Sequence, residues 1–117
     1  MKIYAIDVDE TLEISGGPVT VMTLVDLKKQ GHIIGICGNW ALFVNRVPNW
    51  HFFINFLGPM LMTKDDFLRQ LTQYVPCEEV VMVGNILGIT GASDDQGAAQ
   101  RTGVRFISEK DFSNGNR

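Results

Sequence analysis

The chain has 117 residues, of which 45% are hydrophobic and 20% charged, and its formal net charge is −3. This composition is typical of a single folded domain with its own core and excludes a disordered chain. A weakly acidic chain without a basic run gives no indication of nucleic-acid binding, and no apolar stretch is long enough to span a membrane.

The two cysteines, Cys37 and Cys77, form neither a metal-binding spacing nor a disulfide framework. Reduced thiols in a cytoplasmic protein are the simplest interpretation. The apolar stretch after Met1 and Lys2 is too short for the hydrophobic region of a signal peptide. We therefore expect a cytoplasmic protein with one domain over residues 1–110 and a flexible tail over residues 111–117.

The first predicted elements are a strand over residues 3–8 and a helix that Pro18 can begin. Between them lies a short excursion over residues 12–17. Apolar residues at three- and four-residue spacing continue the helix until Gly31. Residues 32–37 form the second predicted strand.

A shorter helix and a weaker strand follow in the middle of the chain. Residues 40–47 predict a helix that stops before Pro48, and residues 52–56 predict the third strand. Thr63 or Asp65 can cap the next helix.

The last part of the chain has the clearest helix signal. Residues 80–83 form the fourth predicted strand, and Ser93 with Gln96 makes a capping-box pattern. Asp94 and Asp95 then stand in the first turn, where acidic residues are favourable.

The alternation of strands and helices sets the fold class. Gly103 ends the last helix, and residues 104–107 form a fifth strand. Strands that alternate with helices favour a parallel sheet covered on both faces. We therefore predict an α/β fold, a three-layer α/β/α sandwich with a Rossmann-like five-stranded parallel sheet.

Two carboxylates, Asp7 and Asp9, come directly after the buried first strand. Carboxylates held close together repel, and a cation or a shared proton relieves the repulsion. A divalent metal with hard oxygen ligands is one such cation. The pair also suits chemistry on a phosphate, with one carboxylate attacking and the other moving a proton.

Other polar residues follow other strands. Cys37, Gly38 and Asn39 come after the second strand and Asn85 after the fourth, and Lys64 lies at a helix start beyond the third. Because working residues of parallel sheets lie at the carboxyl ends of strands, we expect these side chains to share one edge.

These motifs resemble those of the haloacid dehalogenase-like hydrolase superfamily, over nearly the whole chain from Ile3 to Ile107. Asp7-Val8-Asp9-Glu10-Thr11 is similar to the family's Asp-x-Asp-x-Thr after a hydrophobic strand. Lys64 in Met62-Thr63-Lys64-Asp65 resembles the family's lysine. The run from Asp95 to Val104 is similar to the family's Asp-x-x-Ala-Ala-x-x-x-Gly helix.

The resemblance implies a magnesium-dependent phosphatase without a cap domain. Asp7 would be the nucleophile that forms a phospho-aspartate, Asp9 the general acid and base, and Lys64 the cation that neutralises nucleophile and phosphate. Asp9 argues for phosphate chemistry over halide displacement, because a halide leaving group needs no proton. The implied metal ligands are Asp7, Asp9, Asn85, Asp94 and Asp95, and the implied phosphate-binding residues are Thr11, Cys37, Gly38 and Asn39.

Two positions depart from the family pattern. Cys37 stands where the family has Ser or Thr, and a thiol is a poor donor, so the backbone amides of Gly38 and Asn39 are expected to form the phosphate nest. Asn85 stands where the family has Asp. An Asn oxygen can ligate magnesium without adding charge, so Asp94 or Asp95 is expected to reach back to the metal.

An alternative function stays open. A degenerate, non-catalytic relative would bind a phosphorylated ligand or a partner protein, and Cys37 and Asn85 favour it. The phosphorylated substrate can be a small molecule or a macromolecule. An open site can be covered by a large substrate or by a second copy of the chain, through an aromatic cluster that is otherwise expected in the core: Trp40, Phe43, Trp50, Phe52, Phe53 and Phe56.

Overall fold

The computed structural model describes residues 1–117. Its strands are β1 (Ile3–Ile6), β2 (Ile33–Cys37), β3 (Phe56–Gly58), β4 (Val80–Gly84) and β5 (Arg105–Ser108). Its α-helices are α1 (Val21–Lys29), α2 (Trp40–Arg46), α3 (Lys64–Tyr74), α4 (Asp95–Thr102) and α5 (Glu109–Ser113). None of the helices has both the length and the apolar composition needed to cross a membrane.

The five strands form one all-parallel sheet in the order β3-β2-β1-β4-β5. β1 lies in the centre, where Ile3 pairs with Ile33 of β2 on one side and with Val80 of β4 on the other. Along the chain, β2 and β3 add to one side of β1, and β4 and β5 then add to the other side. Beyond the carboxyl ends of β1 and β4 lies the switch point at which open α/β sheets bind ligands.

Helices cover both faces of the sheet. Alternate residues of β1 point to opposite faces and pack against different helices. Tyr4 and Ile6 belong to one core cluster, whose helical members come from α1, α2 and α5. Ile3 and Ala5 belong to the other, whose helical members come from α3 and α4. The predicted three-layer Rossmann-like α/β fold is therefore confirmed. The main helical members of the two clusters are Leu24, Leu27, Phe43 and Phe112 on the first face and Leu68, Leu71, Ala98 and Ala99 on the second.

The third strand differs from its prediction. Trp50–Phe52 forms a 3-10 turn, and the strand begins only at Phe56. Phe53 and Ile54 are buried, but they reach the core from the end of this turn. The apolar residues Phe53 and Ile54 thus correctly indicate a buried segment, although neither of them is paired in the sheet.

The aromatic cluster supplies core and not an interaction surface. Phe43 and Phe53 are buried, Trp40, Trp50 and Phe56 are half-buried, and only Phe52 is largely exposed, at 75%. The expectation that the aromatic cluster lies mostly in the core is therefore confirmed, and the homo-oligomer stays a prediction with only Phe52 as an exposed ring.

The expected flexible tail over residues 111–117 is also wrong for its first part. Ser108 caps α5 by accepting a hydrogen bond from the Asp111 N–H at 3.2 Å. Phe112 is completely buried, with its ring centroid 5.7 Å from that of Tyr4. The Arg117 guanidinium lies 4.4 Å from the Phe112 ring centroid. One buried aromatic residue is enough to fix a short polar segment.

We predict that Phe112→Ala lowers the free energy of unfolding by about 3–5 kcal/mol, because it removes a ring from the core and leaves a cavity. Urea denaturation of the variant and the wild type measures this. The matched control is Phe52→Ala at the exposed ring, which should change stability by less than about 0.5 kcal/mol. Equal effects at the two positions would contradict the docked C-terminal segment.

Candidate active site

Three charged side chains meet at the switch point. Asp7 follows β1, Lys64 is the first residue of α3, and Asp95 is the first residue of α4. The Lys64 Nζ lies 3.0 Å from Asp7 Oδ1 and 2.7 Å from Asp95 Oδ1. Asp7 is 2% exposed and Asp95 is fully buried. Two buried carboxylates therefore share one ammonium group, and we call Asp7, Lys64 and Asp95 the charge cluster.

The charge cluster has one negative charge more than its lysine balances, and the titration of Asp7 reflects this. Burial raises the pKa of Asp7 to about 7, against the opposing charge of Lys64 and with a further contribution from Asp95. Burial favours the neutral form of Lys64, but the charges of Asp7 and Asp95 outweigh it and raise the pKa of Lys64. Lys64 is therefore a cation at neutral pH, where Asp7 changes its charge.

Helix caps place the members of the charge cluster. Thr63 caps α3 by accepting a hydrogen bond from the Asp66 N–H at 3.1 Å, which sets Lys64 at the helix start. Asp94, and not Ser93 as predicted, caps α4 by accepting one from the Gly97 N–H at 3.1 Å. With Asp94 as the cap, the next residue, Asp95, turns inward.

Arg101 joins the starts of the two helices. Its guanidinium donates to Asp65 at 2.6 Å and 3.2 Å and to Asp94 at 3.2 Å. Asp94 thus pairs with an arginine on the surface and does not face the charge cluster. The metal roles of Asp94 and Asp95 stay predictions, and of the two only Asp95 lies in the charge cluster. The sequence analysis did not single out Arg101, which lies two helical turns after Asp94.

Two glycines allow the strand ends to approach the carboxylates. A Cβ at Gly38 would overlap Asp7 Oδ1, and a Cβ at Gly84 would overlap Asp95 Oδ2. Glycine is the residue that permits such close approach. Gly38 thus lies beside the charge cluster as predicted, and Gly84 has an equivalent place that the sequence analysis did not assign.

Thr11 is buried beneath the charge cluster. Its Oγ1 lies 3.3 Å from Asp7 Oδ2 and 3.4 Å from Asn85 Oδ1, and its hydroxyl proton can go to either. The phosphate-binding role of Thr11 stays a prediction, while in the structure its hydroxyl is enclosed between Asp7 and Asn85. It orients the Asp7 carboxylate from below.

Cys37 is also unavailable to a ligand. It is completely buried in the core cluster that contains Ala5 and Leu68. Burial raises the pKa of the Cys37 thiol to about 12, so the thiol is neutral. The phosphate-binding role of Cys37 stays a prediction, while in the structure the side chain fills the core as a small apolar group.

Asp9 lies on the solvent side of the site. It is exposed, and its carboxylate oxygens lie 3.4 Å and 3.5 Å from the Asn39 Nδ2. The Asn39 Oδ1 accepts a hydrogen bond from the Leu42 N–H at 3.4 Å and so caps α2. An exposed carboxylate beside a buried one is suited to exchange protons with a bound substrate or with water.

Asn85 uses its whole side chain to join two loops. It is fully buried. Its Nδ2 donates to the carbonyl oxygens of Glu10 at 3.2 Å and Thr90 at 3.5 Å, and its Oδ1 faces the Thr11 hydroxyl. Its backbone N–H donates to Asp95 Oδ2 at 2.9 Å. Asn85 therefore fixes the turn after β1, where Glu10 has a φ of 58°, against the loop of residues 86–92.

A second contact, which the sequence analysis missed, holds the loop of residues 86–92 from its other side. Thr90 Oγ1 accepts a hydrogen bond from the Ile86 N–H at 2.8 Å and donates to Glu109 at 3.2 Å. Glu109 is buried at the start of α5. No local sequence signal connects a threonine in a loop with a glutamate after the fifth strand.

The donors present fit magnesium only in part. No group of three or more His, Cys, Asp or Glu side chains is arranged to hold a metal ion. The charge cluster nevertheless supplies two neighbouring carboxylates, Asp7 and Asp95, and a surplus negative charge. Magnesium is often held by one or two carboxylates, with water and phosphate oxygens as its other ligands. Of the five expected ligands, these two fit that role, while Asn85 and Asp94 make other contacts and Asp9 lies beside Asn39.

Comparisons with protein-family models, with curated proteins and with solved structures found no match for this chain. The likeness to haloacid dehalogenase-like hydrolases therefore depends on the motifs around Asp7, Lys64 and Asp95 alone.

The raised pKa of Asp7 predicts a pH-dependent stability. The folded protein keeps the Asp7 proton up to about pH 7, whereas the ordinary pKa of a free aspartate side chain is 3.8. Ionisation of Asp7 therefore destabilises the metal-free fold progressively between these two pH values. Asp7→Asn cannot ionise, so at pH 8 in EDTA it should be more stable than the wild type by up to about 4 kcal/mol.

Urea denaturation at pH 5, 6.5 and 8 measures this, and the difference should shrink as the pH falls. The control is Asp26→Asn on the exposed face of α1, whose effect should not change with pH. Parallel stability curves for the wild type and Asp7→Asn would show that Asp7 is not under this strain.

We predict that Asn85→Asp, the change that would match the family pattern, destabilises the protein by about 2–3 kcal/mol. The new carboxylate would face the carbonyl oxygens of Glu10 and Thr90 and could donate to neither. Magnesium affinity, measured by calorimetry, should not increase. The matched control is Asn49→Asp at an exposed position whose side chain caps nothing. Tighter magnesium binding with unchanged stability would instead make position 85 a metal ligand.

Proposed function

We propose that the protein is a phosphohydrolase that cleaves phosphomonoesters through an aspartyl-phosphate on Asp7. The observation that carries the proposal is the charge cluster at the switch point, where Lys64 Nζ lies 3.0 Å from Asp7 Oδ1. An ammonium group beside a carboxylate can help to neutralise both the nucleophile and a bound phosphate. Such a site therefore suits a phosphorylated ligand.

Charge is the main obstacle to this reaction. A carboxylate and a phosphate are both anions, and at about 4 Å and an effective dielectric constant of about 20 each pair of unit charges costs about 4 kcal/mol. The positive charge of Lys64 offsets the repulsion of about one such pair of charges. Phosphoryl transfer asks the protein chiefly for positioning and for such charge neutralisation.

In the first step, an Asp7 carboxylate oxygen forms a bond to phosphorus as the bond from phosphorus to the ester oxygen breaks. The leaving alkoxide takes a proton from Asp9, which enters this step protonated. The products are an alcohol, the Asp7 acyl phosphate and an ionised Asp9. Thr11 holds the other Asp7 oxygen, Oδ2, and so orients the attack.

In the second step, Asp9 removes a proton from a water molecule, and the hydroxide oxygen forms a bond to phosphorus as the bond to Asp7 breaks. Inorganic phosphate leaves, Asp7 is again a carboxylate and Asp9 is again protonated. The exposure of Asp9 supports this role, because both the leaving group and the water must reach it from solvent.

We propose magnesium as the cofactor, held by Asp7 and Asp95. When bound it supplies positive charge for the phosphoryl oxygens and balances the surplus charge of the cluster. Both carboxylates already accept hydrogen bonds from the protein, so the remaining ligands would be water and phosphate.

One observation favours a second function, the binding of a phosphorylated ligand without turnover. Fewer than three acidic, His or Cys side chains converge to hold a metal, and a catalytic site of this chemistry needs a well-held cation. Lys64 would still attract a phosphate in such a protein.

We further propose a reducing, cytoplasmic location and coverage of the site by its substrate. Both Cys37 and Cys77 are free thiols, which supports such a compartment. Since the aromatic cluster is mostly buried, it offers no surface by which a second copy would cover the site.

The proposal predicts magnesium-dependent release of phosphate from a panel of phosphomonoesters. Asp7→Asn should lose activity by about 10³-fold or more, because it removes the attacking group. Asp9→Asn should lose about 10²–10⁴-fold and retain phosphate on Asp7, detectable by mass spectrometry, because the hydrolytic water is no longer activated. Asp26→Asn is the control with unchanged activity.

Full activity in Asp7→Asn would exclude the aspartyl-phosphate. If no ester is hydrolysed, binding of inorganic phosphate measured by calorimetry separates the two functions. Binding that is lost in Lys64→Met would then favour the non-catalytic protein.

A further inference from the structure

An open cavity of about 530 Å³ lies beside the charge cluster. It is lined by Glu10 and by residues 87–92 of the loop that follows β4. This volume is in the range of sites for small molecules. The structure contains no other cavity of this kind.

Asn85 lies between this cavity and the charge cluster. On one side its Oδ1 and backbone N–H contact Thr11 and Asp95, and on the other its Nδ2 binds the carbonyl oxygens of Glu10 and Thr90. The cavity and the charge cluster are therefore neighbours, each in contact with Asn85.

The wall of the cavity combines hydrocarbon with one negative charge. Leu87 is 55% exposed and Ile89 is 78% exposed. Glu10 is exposed and pairs with no Lys or Arg, and its Oε1 accepts only a long hydrogen bond from the Ala92 N–H at 3.4 Å. Asp9, its neighbour in the chain, is exposed too. No Lys or Arg side chain pairs with either carboxylate, so the negative charge at this edge of the cavity is not balanced by the protein.

We infer that the cavity binds the alcohol part of the substrate and selects a small phosphomonoester whose alcohol carries an alkylammonium cation. The cation would lie at the Glu10 carboxylate and its hydrocarbon against Leu87 and Ile89. This inference rests on the proposed phosphohydrolase, whose charge cluster would hold the phosphate. It assigns to Glu10 the selection of the substrate and no part in the chemical step.

The test compares two esters of the same shape, phosphocholine and its neutral carbon analogue 3,3-dimethylbutyl phosphate. The wild type should hydrolyse phosphocholine with a kcat/KM about three- to fivefold higher, the value expected for a partly exposed ion pair. The ratio should fall towards one in about 0.5 M salt. At this concentration the Debye length is on the order of a few ångströms, so the ion pair is screened.

Glu10→Gln removes the charge but keeps the size of the side chain and the backbone carbonyl that Asn85 binds. It should reduce the ratio to about one, through a lower kcat/KM for phosphocholine. The matched control is Glu78→Gln, at the opposite end of the strands, which should leave the ratio as in the wild type. The double variant Leu87→Ser/Ile89→Ser should lower kcat/KM for both esters by the same factor.

A wild-type ratio of one, or a ratio that survives Glu10→Gln, would overturn the inference even if both esters are hydrolysed. So would a double variant that treats both esters as the wild type does. If neither ester is hydrolysed, that result counts against the proposed hydrolysis and not against the selectivity of the cavity. The cavity is then tested by the binding of the same two esters, followed by NMR at the Ala92 amide: a preference for phosphocholine that Glu10→Gln removes supports it, and equal binding overturns it.

Discussion

The structure depends on two buried carboxylates that share one lysine ammonium. Buried charges are tolerated only when they are paired and hydrogen-bonded, and removing one partner leaves the others uncompensated. Lys64 belongs to α3, Asp95 to α4 and Asp7 to the end of β1, so this one interaction ties the starts of both helices to the central strand. The glycines at positions 38 and 84 and the Arg101 contacts make room for that placement and maintain it.

The same interaction leaves the site with a surplus of negative charge, which a bound cation would balance. One lysine cannot neutralise two carboxylates, and burial therefore holds the pKa of Asp7 at about 7. Perturbed titration of this kind is concentrated at functional sites. Asn85 then separates two tasks: the charged side that would hold a phosphate and the hydrocarbon-lined side that would distinguish one alcohol from another.

Much of the fold was predictable because its signals are local. Strand-like runs, glycine at helix ends and carboxylates after β1 are all visible within a few residues, and Asp7, Lys64 and Gly38 could be placed at one edge from these alone. The errors have a common cause in long-range contacts. Asp94 and Asp95 are adjacent, and the cap bond from Gly97 together with the bond from Arg101 holds Asp94 outward and leaves Asp95 inward. Thr11 and Cys37 match the position of phosphate ligands in sequence, but their burial depends on how β2 and β4 flank β1.

The central place of β1 also matters for the order in which the protein is made. β1 precedes all other strands along the chain, yet Ile3 pairs with Val80, so one edge of β1 has no partner until β4 has been synthesised. Unpaired strand edges are templates for wrong association, and parallel sheets close slowly because their partners are distant in sequence. The strand that carries Asp7 is therefore also the segment that is exposed longest to misfolding during synthesis.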